Sequence, residues 1–256
     1  TALVCKERKG LSYGGASAPP YFLRYRHFYP QYNIGEAART AAVCRMRSAE
    51  RILPEEKRMN TLTLETERLI LRKFTENDLE ALYRIYSDEE ANRFLPWFPL
   101  KNMEEARLLF REKYASKYLL QQAYAYAVCL KEDDIPVGYI KVDTREPYDF
   151  GYGLRREFWN RGIATEAAKA VIEQVKKDGL SYITASHDRD NPRSGGVMRN
   201  AGMKYRYSYE EQWQPKNILV TFRMYQLNLD GYNKRIYWGY WDKSSVRFKE
   251  NGLFVE

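Results

Sequence analysis

EFWNRGIATEAAKAVIEQVKKDGL, residues 157–180, is where a turn with one glycine runs into a long amphipathic segment. Ile163, Ala167, Val171 and Val175 recur every four residues, with Ala164, Ala168 and Ile172 beside them. A helix over residues 162–178 therefore has one apolar face, which needs a sheet to cover it. Lys176 and Lys177 in the last turn complement the negative end of the helix dipole, and Gly179 suits a left-handed stop. The other end is unusual: no Ser, Thr or Asp precedes Gly162, so the first helical amides have no obvious side-chain acceptor. Open amides behind a glycine, where a ligand can approach the backbone closely, form an anion site whose natural occupant is a phosphate. The alternative is a plain turn into a surface helix, with Asn160 as its cap.

Working outward, residues 63–74 read as a strand and Thr75 with Asp78 as a capped helix start, followed by a stripe of Leu79, Leu82 and Tyr86. Asn102 with Glu105 repeats the capping pattern before a second helix reaching Tyr118. AYAYAVCL and PVGYIKVD read as a hairpin joined by KEDDI, and a strand over 149–154 leads into the opening stretch. Beyond it come the strand LSYITASH, a short helix from about Asn191, and two aromatic strands over 205–213 and 217–228. Strands interspersed with helices and hairpins imply an α/β fold, a mixed and mostly antiparallel twisted sheet with helices on both faces.

The chain of 256 residues has a formal charge of +8, and its distribution decides what that means. Residues 1–58 hold eleven Lys/Arg against five Asp/Glu, so +6 of the +8 belongs to this leader. The rest is close to neutral and has no charge reason to seek nucleic-acid backbones. The leader is loop-rich, with SYGGASAPPYFLRYRHFYP and one short helical pattern, and the strand pattern begins after Met59. The expected organisation is a basic extension over 1–58, with translation starting at Met59, then a domain over 59–230 and a tail over 231–256. No apolar run approaches the roughly 20 residues that span a bilayer, and no signal sequence is legible. Cys5, Cys44 and Cys129 are too few and too far apart for a disulfide framework or a zinc cluster. A cytoplasmic protein, without metal and without a membrane, is expected.

Neither G-x-G-x-x-G nor G-x-x-x-x-G-K-[ST] occurs. FWNRGIATEA after a strand, followed beyond the next strand by NPRSGGVMRNAGMKY, resembles the GCN5-related N-acetyltransferase superfamily, most closely its branch of ribosomal-protein-alanine acetyltransferase type. The resemblance runs from about Met59 to Asp230. Trp159-Asn160-Arg161-Gly162-Ile163-Ala164 matches the family's phosphate-cradling pattern [Q/R]-x-x-G-x-[G/A], with the Trp this branch commonly carries first and Asn160 where a second glycine is frequent. The resemblance implies acetyl-CoA as co-substrate, its pyrophosphate held by backbone amides of Trp159, Asn160, Arg161, Gly162, Ile163, Ala164 and Thr165. It also implies that the pantetheine lies between splayed strands over 149–154 and 181–187, touching Leu154 and Asn191.

For the transfer itself, a neutral amine must attack a thioester, the oxyanion must be stabilised and a thiolate must leave. The resemblance implies that the Asn191 amide binds the pantetheine and that the Ser194 hydroxyl helps to protonate the departing sulfur. Asn191 also fits as a helix cap with Pro192 behind it. Asp149 and Glu67 are the candidate general bases, each equally readable as a solvated surface acid. Glu166 serves the helix dipole, and His27 and His187 read as structural. Trp97, Phe98, Tyr207 and Trp213, with Glu210 and Glu211, are candidates for walling an acceptor cleft, or for core aromatics at period two. The acceptor is a primary amine on a protein or a small molecule, and the enzyme a monomer or homodimer. The competing class is a DNA-binding regulator, because YNIGEAARTAAVCRMR (residues 32–47) resembles the opening helix of a MerR-type helix-turn-helix; no specific nucleic-acid binding is expected from it.

Overall fold

The computed structural model describes residues 60–253. The leader, with its helix-turn-helix resemblance, His27, Cys5 and Cys44, lies outside the described residues. β1 (Leu64–Glu65) and β2 (Leu69–Arg72) form a hairpin and are followed by α1 (Leu79–Ser87). α2 (Met103–Leu109) is capped by the Asn102 side chain, which accepts from Glu105 N, and runs on through a π-helical turn, Phe110–Ala115, to Tyr118. β3 (Tyr124–Leu130), β4 (Pro136–Val142) and β5 (Phe150–Leu154) complete a five-stranded antiparallel sheet in the order β1-β2-β3-β4-β5. α3 (Ile163–Lys177), β6 (Tyr182–Asp188), α4 (Pro192–Asn200), β7 (Lys204–Trp213), β8 (Ile218–Asn228), α5 (Gly239–Lys243) and β9 (Arg247–Phe248) follow. The second sheet is antiparallel in the order β6-β8-β7-β9.

The two sheets touch edge to edge between β5 and β6, through a single parallel bridge from Asp149 to Thr184. Beyond that vertex β5 and β6 part company. α3 lies across the join and buries Ile163, Ala167, Ala168, Val171, Ile172 and Val175, the stripe read from the sequence. They share a core with Ile140, Val142 and Phe150 of the first sheet and Ile183, Ala185 and Tyr225 of the second. Each fully buried Val or Ile there stabilises by roughly 1.5–3 kcal/mol. α1 covers the opposite face of the first sheet, where Tyr86 stacks on Tyr139 at 5.1 Å.

One sequence reading needs correction. Residues 63–74 are not one strand but a hairpin, turned at Thr66–Arg68 and closed by Thr66 N donating to Leu69 O at 3.0 Å. Glu67 is therefore an exposed turn residue, not a strand residue. The tail after Asp230 forms both a helix and a strand. β9 pairs with β7, and Ile236, Tyr240 and Trp241 pack on Tyr207, Tyr209, Val220, Phe222 and Met224. Arg223 Nε donates to Glu250 at 2.9 Å, and Ser208 Oγ donates to the same carboxylate at 2.7 Å.

Candidate active site

The start of α3 is as open as its sequence suggests. Gly162 is the N-cap, at φ 75°, and no side chain caps the helix. Asn160, two residues earlier, also adopts a left-handed conformation, φ 57°, which Asn tolerates better than most side chains. Asn160 is thus part of the turn, not the cap. The amides of Ile163, Ala164 and Thr165 precede the first intrahelical bond, from Glu166 N to Gly162 O at 3.0 Å, and stay available to an anion. The positive end of the helix dipole adds to their pull. A cleft of about 560 Å³ opens here, lined by Glu67, Gly162, Thr165, Glu166, Lys169 and Asn200.

Glu166 holds this turn in place. It accepts from Thr66 Oγ1 at 2.6 Å, Arg68 N at 3.0 Å and Arg68 Nε at 2.7 Å, and Arg68 Nη1 donates on to Arg161 O at 3.0 Å. Burial alone would raise the Glu166 carboxyl, but the hydrogen bonds from Thr66 and Arg68 outweigh it and hold the group below the usual carboxylate range. The carboxylate is spent on fastening the β1–β2 turn to the first turn of α3. Glu67, one of the two candidate bases, lines this anion end of the site and not the strand opening.

The strand opening has free edges. Arg155 N donates to Val137 O at 2.9 Å and Asp143 N to Asp149 O at 3.0 Å, so residues 149, 151, 153 and 155 direct their backbone groups to β4. By alternation, Tyr152 and Leu154 present theirs to the gap beside β6. The Leu154 carbonyl there accepts from Trp159 Nε1 at 2.9 Å, which ties the motif's tryptophan to the end of β5. Across the gap, Asn191 caps α4 by accepting from Ser194 N at 3.3 Å through Oδ1, leaving its Nδ2 as the donor for a ligand carbonyl. Cap and ligand contact are compatible in one side chain.

Tyr152, which the sequence reading did not single out, reaches across this gap. Its hydroxyl donates to Ser194 O at 2.6 Å and lies 2.8 Å from Ser194 Oγ. Burial pushes its phenol up, so it stays protonated.

Asp149 sits at the vertex, on the sheet face opposite α3, with 35% of its side chain reachable by solvent. Surrounding atoms push its carboxyl up to about 6, against the pull of Lys141 at 3.5 Å and with Asp143 adding to the rise. Lys141 also pairs with Asp143 at 3.0 Å, and Lys117 with Asp143 at 3.2 Å. Burial would raise Asp143 too, but these two lysines hold it down to about 2. One carboxylate of the cluster is thus a permanent anion, and the other titrates near neutrality, in the range useful to a general base.

Aromatic rings wall the same side. Lys113 Nζ lies 3.7 Å from the centre of the Trp97 ring and 4.9 Å from that of Tyr86. Tyr209 stacks on Tyr240 of the tail at 5.1 Å and donates to Ser186 Oγ at 3.2 Å, two residues along β6 from the vertex. Tyr207 is fully buried against Trp238, and Trp213 packs on Phe222 at 4.7 Å, so these two belong to the core of the second sheet. Phe98 is 40% exposed. His187 is buried beneath Gly195, where a Cβ would lie 2.5 Å from its Nε2. Burial pushes this histidine down to about 4, so it is a neutral packing residue.

Among the described residues no group of three or more His, Cys, Asp and Glu gathers as metal ligands, and no helix is long and apolar enough to cross a membrane.

An open helix start lies beside two diverging strands, with a titrating carboxylate at their vertex. The family model described as an acetyltransferase (GNAT) domain matches residues 68–204, more than half of the chain, and the chain belongs to this family. It is an acyltransferase. The uncharacterized N-acetyltransferase YnaD of Bacillus subtilis is 29% identical over 143 residues, 54% of this chain and 81% of that protein. An acetyltransferase of the GNAT family from Bacillus anthracis superposes with TM-score 0.58 at 25% identity, covering 66% of this chain and 99% of the other. The microcin C7 self-immunity acetyltransferase MccE, solved in complex with acetyl-CoA and AMP, shares the fold at TM-score 0.56 and 16% identity, over 64% of this chain and 93% of its own.

Proposed function

We propose that this protein moves the acetyl group of acetyl-CoA to a primary amine by direct attack, without a covalent enzyme intermediate. The observation that carries the reading is the alignment of three features along one path. These are the uncapped amides of α3 behind left-handed Gly162, the strand edge offered by the Tyr152 backbone and Leu154 N, and the Asp149 carboxyl at the vertex. In this reading the amides from Trp159 to Thr165 bind the pyrophosphate, and the Leu154 edge with Asn191 Nδ2 holds the pantetheine amides. Asp149 takes a proton from the substrate ammonium so that the neutral amine attacks the thioester carbonyl, and Ser194 donates to the sulfur as the C–S bond breaks. Asp149 is preferred to Glu67 because it lies at the vertex and titrates near 6, whereas Glu67 lies at the phosphate end. The acceptor is a protein N-terminus, as in the ribosomal-protein-alanine branch, or a small-molecule amine. The catalytic unit is residues 59–230, and the tail carrying Tyr240 extends the wall beside Asp149.

Free-thiol release from acetyl-CoA tests the reading, with peptides bearing a free N-terminal alanine or serine, spermidine and an aminoglycoside as acceptors. Amine-dependent release with a matching acetylated product supports it. No release with any of them, in protein that is folded, refutes it.

A further inference from the structure

The link between Tyr152 and Ser194 is the one hydrogen-bonded contact described across the gap between β5 and α4, and neither the family pattern nor the motif spacing calls for it. Tyr152 stands on β5 opposite Ile140, and its ring packs 5.5 Å from Phe150. Ser194 stands in the first turn of α4, on the far side of the opening. The phenol has one proton and two acceptors within reach, the carbonyl of Ser194 at 2.6 Å and its Oγ at 2.8 Å. When the phenol donates to the carbonyl, the serine hydroxyl has the phenol oxygen as a ready acceptor and turns its own proton inward. When the phenol donates to Oγ, that acceptor is withdrawn and the serine proton is free to point into the cleft. A hydroxyl has one donor and two acceptor positions, so a phenol that donates to Oγ fills an acceptor site of the serine and orients its proton toward the cleft, whereas without the phenol the hydroxyl rotates freely.

We propose that Tyr152 is a positioning residue for Ser194, its hydroxyl setting whether the serine proton faces the phenol or the departing sulfur. The inference rests on the reading of Ser194 as the group that donates to sulfur. As the C–S bond breaks, its electron pair stays on sulfur and the Ser194 proton passes to that sulfur while a water in the cleft hands a proton to Oγ. The proton that Asp149 took from the ammonium passes to solvent and neutralises the hydroxide left behind, so both side chains end as they began. Tyr152 keeps its own proton throughout, in keeping with a buried phenol whose ionisation is disfavoured. The backbone of Ser194 is fixed separately by the Asn191 side chain, so loss of the phenol should leave the helix start in place.

The test compares full-length wild type with Tyr152→Phe, Ser194→Ala and the double variant, using the acceptor that supports the fastest thiol release. Tyr152→Phe should lower kcat about fivefold to twentyfold, change KM for acetyl-CoA less than twofold, and add nothing to Ser194→Ala in the double variant. A Tyr152→Phe protein with wild-type kcat, while Ser194→Ala is slow, overturns the proposal and leaves the role of Ser194 intact. A Ser194→Ala protein with wild-type kcat refutes the reading beneath it. Additive losses in the double variant also overturn the proposal, because Tyr152 would then act on its own. p-Aminophenylalanine at position 152 keeps a ring donor at nearly the same reach and guards against misfolding of the Phe variant. Its kcat should come within about threefold of wild type, and a rate as low as that of Tyr152→Phe counts against positioning by the donor.

Discussion

Replacing Asp149 with Asn removes the titrating carboxylate at the sheet vertex and changes little in shape. Two consequences follow, and they have opposite signs. The carboxyl is raised from an ordinary 3.8 to about 6. Activity that needs it ionised should rise with pH through about 6, and at pH 5 only about a tenth of the molecules carry the base in usable form. The Asn variant should lose 100-fold or more in kcat/KM at pH 7.5, and its remaining rate should show no inflection near 6. Stability moves the other way. A carboxyl whose folded-state value is raised favours the folded state least when it is ionised, so wild type loses stability as pH rises from about 4 to about 6. A shift of about two units corresponds to ~3 kcal/mol in a dry interior, and solvent access to a third of the side chain reduces this to roughly 1–2 kcal/mol. Lys141 keeps Asp143 as a partner at 3.0 Å, so the substitution does not strand it. Asp149→Asn should therefore be more stable than wild type at pH 8, by roughly 1 kcal/mol, while being far slower. Urea unfolding at pH 4 and pH 8, together with a pH–rate profile, measures both. A variant that keeps the limb near pH 6, or that is fast at pH 7.5, refutes the assignment of the base.

Gly162→Glu places a carboxylate, and a Cβ at φ 75°, where an anion is to bind, and should weaken acetyl-CoA binding at least tenfold in a protein that still folds by circular dichroism. Ser194→Ala should lower kcat tenfold to a hundredfold with little change in cofactor Kd, as expected of a group that acts mainly in the transition state. Gly195→Ala drives a methyl to within 2.5 Å of His187 Nε2 and should cost roughly 1–3 kcal/mol, read as a lower Tm. A chain of residues 59–256 should fold and bind acetyl-CoA as the full chain does; in gel shifts the full chain should bind a random duplex and a candidate operator alike, weakly and less so at higher salt.

How much the sequence revealed depended on whether the determinant was local. The α3 stripe, its missing cap and the left-handed Gly179 are written in neighbouring residues, and they appear in the structure as read. The hairpin at Thr66–Arg68 was hidden because TLTLETERLILR alternates without a Gly or Pro. The turn is held by Glu166, about a hundred residues away in sequence. Asn160 could be weighed as a cap from sequence, but its positive φ, which makes it part of the turn, is a property of the folded loop. Tyr152 looked like one more aromatic in FGYGL, and only the splay of β5 from β6 brings it to Ser194. The raised carboxyl of Asp149 is likewise tertiary, a product of burial at the vertex with Lys141 and Asp143 close by. The tail hid its role because its aromatics carry no period. They pack one by one onto Tyr207 and Tyr209.

Titration calorimetry of the full-length protein with acetyl-CoA addresses the central claim most directly, because the open start of α3 is read as a seat for its pyrophosphate. The expected result is one site per chain with Kd near the micromolar range, about −8 kcal/mol, that weakens at least tenfold in Gly162→Glu. Absence of heat with acetyl-CoA, together with binding of NAD or ATP, would contradict the account.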